Sequence, residues 1–124
     1  MDLMEYFENT KGFGVMATAG GDGNVGAAVY ARPHVMEDGT IAMIMRDRLM
    51  HHNLQTNSHA AYLFHEDGLG YKGKRLFLTK IREEKDTDLL KSLRRRQYPD
   101  RKEEAKFLVF FKVDKELPLI GNGA

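Results

Sequence analysis

At 124 residues, 42% of them hydrophobic and 30% charged, the chain has the composition of a soluble globular protein and room for one domain spanning residues 1–124. Nineteen Lys and Arg stand against eighteen Asp and Glu, a formal charge of +1 that gives no global bias toward nucleic acid. Cysteine is absent, so disulfides, thiolate metal sites and cysteine nucleophiles are excluded together.

Residues 2–9 read as a short amphipathic helix, with Leu3, Met4 and Phe7 on one face. The opening Met1-Asp2-Leu3-Met4-Glu5 has neither a basic n-region nor an apolar h-region, so a cytoplasmic location is expected. Residues 12–19 read as a strand entering the turn Gly20-Gly21-Asp22-Gly23-Asn24, and residues 25–36 as its return strand. After a second turn at 37–40, residues 41–45 form a third strand apolar on both faces. Residues 49–58 suggest a helix through Met50 and Leu54, and residues 60–64 a fourth strand. A glycine-rich turn at 65–71 leads to a fifth strand at 73–83, with Leu76 and Leu78 opposite in facing to Phe77 and Thr79. Thr87 caps a helix predicted to run to about residue 97, where Pro99 interrupts it. Residues 107–113 give a sixth strand, and Pro118 closes the ordered chain. Apolar runs such as 107–111 are far too short to span a bilayer, so no membrane partner is expected.

Tight turns after the first two strands exclude a βαβ architecture, which needs long crossovers. The predicted class is α+β: a small six-stranded antiparallel barrel with peripheral helices.

No G-x-S-x-G, H-E-x-x-H or Walker sequence occurs, and Gly12-Phe13-Gly14 lacks the third glycine of a dinucleotide fingerprint. His51 and His52 are adjacent and so point in different directions on a helix, which argues against a metal pair. Met36, Met43, Met45 and Met50 read as core filler. Arg94-Arg95-Arg96 reads as a solvated helix face; it lacks the interleaved aromatics of a nucleic-acid surface. Arg46, Arg48, His51 and His52 gather where the third strand meets the next helix, and Arg46 to Arg48 taken alone reads as a solvated loop.

Three segments stand in order: Arg32-Pro33-His34-Val35-Met36-Glu37-Asp38-Gly39-Thr40-Ile41, then Arg46-Asp47-Arg48-Leu49-Met50-His51-His52-Asn53-Leu54, then Gly73-Lys74-Arg75-Leu76. The series resembles the pyridoxamine 5′-phosphate oxidase-like family of FMN-binding split barrels, from about Gly14 to Thr79, and 116–121 is similar to the tail of its smaller members. The resemblance implies a split barrel holding FMN at a homodimer interface, with Tyr30, Arg32, Pro33, Arg46, Arg48, His51, His52 and Asn53 in the cofactor site. Family members commonly carry Lys where His52 stands; a neutral imidazole supplies no charge, so phosphate binding is expected to depend on pH. The chain lacks tryptophan and the substrate-binding C-terminal residues of the true oxidase, so vitamin B6 oxidation is not expected. The implied roles are a flavoprotein oxidoreductase or flavin reductase acting with a small-molecule electron donor or acceptor, a non-catalytic FMN carrier, or a split barrel holding another flat cofactor such as a deazaflavin or haem.

Overall fold

The computed structural model describes residues 2–93 and 105–121. In chain order its elements are α1 (Leu3–Asn9), β1 (Gly12–Ala19), β2 (Val25–Tyr30), β3 (His34–Val35), β4 (Ile41–Arg46), α2 (Leu49–Asn53), β5 (His59–Glu66), β6 (Gly73–Lys85), α3 (Asp88–Leu93) and β7 (Lys106–Pro118). All strand pairs are antiparallel, in the order β2-β1-β5-β6-β7-β4-β3. The fold is an antiparallel half-barrel whose free edges, β2 and β3, mark the split.

Among the described residues there are seven strands where six were expected, because the segment 25–36 breaks in two. Buried Pro33 has no N–H to give a ladder, and it restricts the residue before it. β2 therefore stops at Tyr30, and β3 leaves to pair with β4 through His34↔Ala42 and Val35↔Ile41. The connection is pinned by Arg32, whose Nη1 donates to the carbonyls of Phe7 (2.7 Å) and Thr10 (3.0 Å) at the C-terminal end of α1. Those carbonyls have no partner within the helix, and a cation is favoured there.

The helix expected at 49–58 also ends early, at Asn53. Thr56 bonds its hydroxyl to the Asn53 carbonyl (3.3 Å), and the Asn57 side chain accepts from the His59 amide (3.0 Å); such local bonds compete with helix continuation. β6 and β7 run thirteen residues each, longer than expected, and bend at register shifts between Phe77/Leu78 and Lys80/Arg82. Thr87 accepts from the Leu90 amide (3.3 Å) at the start of α3. The rest of that expected helix, with Arg94-Arg95-Arg96 and Pro99, lies outside the described residues.

The barrel interior is filled by one cluster that includes Phe7, Met16, Met43, Met45, Tyr62, Phe64, Leu76 and Phe111. A second cluster, Ala42, Leu90, Leu108 and Phe110, lies under α3. β4 contributes to both, which is why its sequence is apolar from Ile41 to Met45. The outer face of β2-β1-β5-β6 is apolar as well, yet open. Phe13, Val25, Val29, Leu63 and Phe77 are exposed on it, and Val15 stands opposite both Val29 and Leu63 in the ladder.

Tyr62, fully buried on β5, spans the inner face of β1 and donates its hydroxyl to the carbonyls of Ala31 (3.0 Å) and Tyr30 (3.3 Å), where β2 leaves the sheet. It passes over Gly14, where an added Cβ would lie 1.9 Å from the Tyr62 oxygen. Gly14→Ala should therefore destabilise the protein by about 1–3 kcal/mol through overpacking. Tyr62→Phe should cost about 1–2 kcal/mol, leaving carbonyls without their buried donor. Urea denaturation of both variants checks this; a Gly14→Ala protein as stable as the parent would contradict the packing described.

Candidate functional site

Where β2 diverges, a cleft of about 560 Å³ opens between its end, the end of β4 and the start of α2. Ala27, Ala28, Val29 and Tyr30 form one wall, Ile44, Leu49 and Met50 the other, and Gly12 and Phe13 the floor. Arg46 and Arg48 supply the charge. Burial pushes the Tyr30 hydroxyl up to about 12, with the positive charge of Arg48 pulling the other way. The cleft thus joins a broad apolar surface to two guanidinium groups on one side.

α2 is only five residues long, so its macrodipole offers little to an anion, and its position is set by side chains. On the barrel side, Asn53 Nδ2 donates to Thr18 Oγ1 (3.1 Å), and Thr18 Oγ1 donates to Met50 Sδ (3.3 Å). On the other side, the His51 ring lies flat on Phe107, with centroids 3.8 Å apart and planes at 15°. His51 Nε2 meets Glu83 Oε2 at 2.8 Å, and Gln55 Nε2 donates to Glu83 Oε1 (3.2 Å) and to the His51 carbonyl (2.9 Å). Lys80 pairs with the same carboxylate. Burial alone would raise the Glu83 pKa, but the bonds from Lys80, His51 and Gln55 outweigh it and hold the carboxyl near 2.

A second cleft of about 520 Å³ lies on the other side of Leu49, between the β1–β2 turn and α2. Asp22, Asn24, His52, Asn53 and Thr56 give it polar walls. Bonds from the Asn24 amide and side chain hold the Asp22 carboxyl below its usual range, and the nearby His52 adds to this.

Of the expected cofactor residues, the fold brings Tyr30, Arg46 and Arg48 together in the first cleft. It places His52 and Asn53 in the second, turns His51 inward to Glu83, commits Arg32 to α1 and buries Pro33 behind the break. The apolar wall residues carried no motif. Their signal was compositional: Val25-Gly26-Ala27-Ala28-Val29 is apolar on both faces although β2 is an edge strand, which demands a cover on its outward side. Glu83 carried no sequence signal for this role, since the partners that tie it to α2, His51 and Gln55, lie about thirty residues earlier in the chain.

No family model matches the sequence, and no curated protein matches it. Solved structures do. An FMN-binding protein from Syntrophomonas wolfei subsp. wolfei superposes with a TM-score of 0.70 at 18% identity, over 97% of this chain and 88% of that one. HutZ, the haem storage protein from Vibrio cholerae, gives 0.62 at 14%, over 95% of each chain. A candidate pyridoxamine 5′-phosphate oxidase from Listeria innocua gives 0.57 at 15%, over 91% of each. The chain has the split-barrel fold of the pyridoxamine 5′-phosphate oxidase-like proteins, as the ordered motifs implied. Among the described residues no helix is long and apolar enough to cross a membrane.

The Glu83 pKa lies below its ordinary value of 4.5, so the carboxylate stabilises the fold fully above pH 4.5 and loses that contribution as pH falls toward 2. Glu83→Gln should lower stability by roughly 1–3 kcal/mol at pH 7. The gap to the parent protein should close between pH 4.5 and pH 2. Chemical denaturation at stepped pH measures it, and a gap that stays constant through that window would remove the carboxylate's charge from the account.

Proposed function

We propose that the chain binds FMN in the first cleft, with the ring system against Ala27–Tyr30 and Phe13 and the phosphate on Arg46 and Arg48. The observation that carries this reading is the pairing of a ring-sized apolar wall with two guanidinium groups at one end of it. Guanidinium binds phosphate oxygens in a bidentate fork and keeps its charge at any physiological pH. His52 and Asn53 lie four and five residues after Arg48 and would influence the phosphate end through the wall shared at Leu49.

When bound, the flavin would supply one- and two-electron redox chemistry. The chain's own part is to hold the ring in an apolar slot, to neutralise the phosphate and to exclude water from the β2 side. An oxidoreductase or flavin reductase fits that division of labour, and so does an electron-carrying module; turnover with a nicotinamide reductant separates the two. The open apolar face of β2-β1-β5-β6 adjoins the cleft through Phe13 and Val29. A second copy of the chain laid on that face would cover it and close the cleft, which is the basis for placing FMN at a homodimer interface.

The likeness to a haem storage protein supports a second reading, in which the arginines hold propionates. Haem iron takes an axial protein ligand, most often histidine. Among the described residues no histidine lines the first cleft. Tyr30 does, but its raised pKa opposes the tyrosinate an iron would need, and Met50 sulfur already accepts from Thr18. The FMN reading fits the cleft better.

Titration with FMN, FAD and riboflavin, followed by flavin fluorescence quenching, tests it. FMN should bind tightest. Arg46→Ala and Arg48→Ala should each weaken FMN by about 1.5–3 kcal/mol, the worth of a charge-assisted bond, and leave riboflavin nearly unchanged. Equal affinity for FMN and riboflavin in the parent protein would sink the phosphate assignment, and sedimentation of the FMN complex as a monomer would sink the interface placement.

A further inference from the structure

The first cleft has one wall that the sheet does not hold. Ala27–Tyr30 belong to β2 and Ile44 and Arg46 to β4, but Arg48, Leu49 and Met50 belong to the start of α2. A five-residue helix is far below the length at which helices persist on their own, so its placement must come from tertiary contacts. Its N-cap, Arg48, makes no side-chain capping bond. Met50 and Leu54 anchor the helix by burial in the barrel core. Beyond that apolar contact two polar sets hold it, the Thr18–Met50–Asn53 set on the barrel side and the Glu83 set on the other.

The two sets differ in strength. The first consists of neutral bonds, one of them to a thioether, a weak acceptor. The second converges on a single carboxylate, partly buried with 23% of its side chain exposed. Glu83 faces His51 and Gln55 from the α2 segment and Lys80 from its own strand, and Asp47 stands 3.7 Å from the other ring nitrogen of His51. Charge-assisted bonds of this kind are about twice as strong as neutral ones. Moreover, the imidazole is clamped by Phe107 at the same time, so it can move only by unstacking.

We propose that Glu83 is a positioning residue for the cofactor site: through His51 and Gln55 it holds α2 in place and so sets where Arg48, Leu49 and Met50 stand against the cleft. Glu83 itself lines neither cleft. This rests on the FMN reading above for its functional consequence, although the mechanical claim stands without it. The role also gives His51 a purpose other than phosphate contact, consistent with its inward ring.

Two measurements on Glu83→Gln test the proposal. The first needs no ligand: amide hydrogen exchange at pH 7 over seconds to minutes, when β1 and β5 amides remain protected in both proteins. Loss of the carboxylate should speed exchange at residues 50–54 by about tenfold, the factor that one charged hydrogen bond commands. The second is the ratio of riboflavin to FMN dissociation constants. A displaced Arg48 reads the phosphate less well, so the FMN preference should narrow by about fivefold to tenfold, which a general loss of stability would not produce, because both ligands share the ring site. Should Glu83→Gln fail to fold, Gln55→Ala removes one arm of the same set and should move both readouts in the same direction by less. Unchanged exchange at 50–54 overturns the proposal, and faster exchange with an unchanged ligand ratio overturns the positioning role. A parent protein that binds no FMN defeats the functional reading alone, and the exchange measurement then still decides whether Glu83 holds the helix.

Discussion

The split in this barrel depends on a hydroxyl that reaches across a strand. Tyr62 lies on β5, two strands from the edge, yet it donates to the carbonyls of Tyr30 and Ala31 where β2 ends. Only the missing side chain at Gly14 lets the ring pass beneath β1. Those carbonyls lie where the chain turns out of the sheet, and the tyrosine is the donor that ties them to the barrel interior. The end of β2 is therefore fixed from inside and the connection through Arg32 and Pro33 is fixed from α1. The first cleft opens between that fixed strand end, the end of β4 and the start of α2. The cleft exists because the sheet is held open at that edge.

Much of this was legible in the chain. β1 followed from the hairpin turn that it enters and β4 from its apolar run, and both elements were found with bounds within a residue of those expected. The break after Tyr30 was not read, although Pro33 was in view, because a proline in an apolar run can also sit on an edge strand without ending it. β6 was expected to end at Glu83 and runs on to Lys85, because Glu84 and Lys85, polar in sequence, pair with Leu108 and Phe107 of β7 just beyond the stacking of Arg82 on Phe110 at 3.6 Å. Both depend on a partner some thirty residues away, and a local window does not contain it.

The basic segment shows the same division more sharply. Its residues gather between β4 and the next helix as expected, and the two histidines diverge as adjacent helical residues must, but the sequence left all of them in one site. His51 and His52 are neighbours, and a helical step of about 100° sends one ring onto Phe107 and the other to solvent beside Asp22. The arginines precede the helix and face the apolar cleft. Charge clustering located the region, whereas the assignment of each side chain required the fold.

The pairing of β4 also has a consequence for the order in which the protein can be made. β4 joins β7 from Ile41↔Phe111 to Arg46↔Lys106, so apart from its two-residue pairing with β3 the most apolar strand of the chain has its ladder partner sixty to seventy residues downstream. On the ribosome, β1 and β2 can close a hairpin early, while β4 must wait for residues 106–118 to emerge. At about 5–20 residues per second this is a delay of roughly 3–12 s. For that time Ile41, Ala42 and Met43 offer an unpaired edge and two oily faces. This makes the nascent chain a natural client for chaperones that shield extended apolar segments, and makes C-terminal truncation more damaging than its position in the sequence suggests.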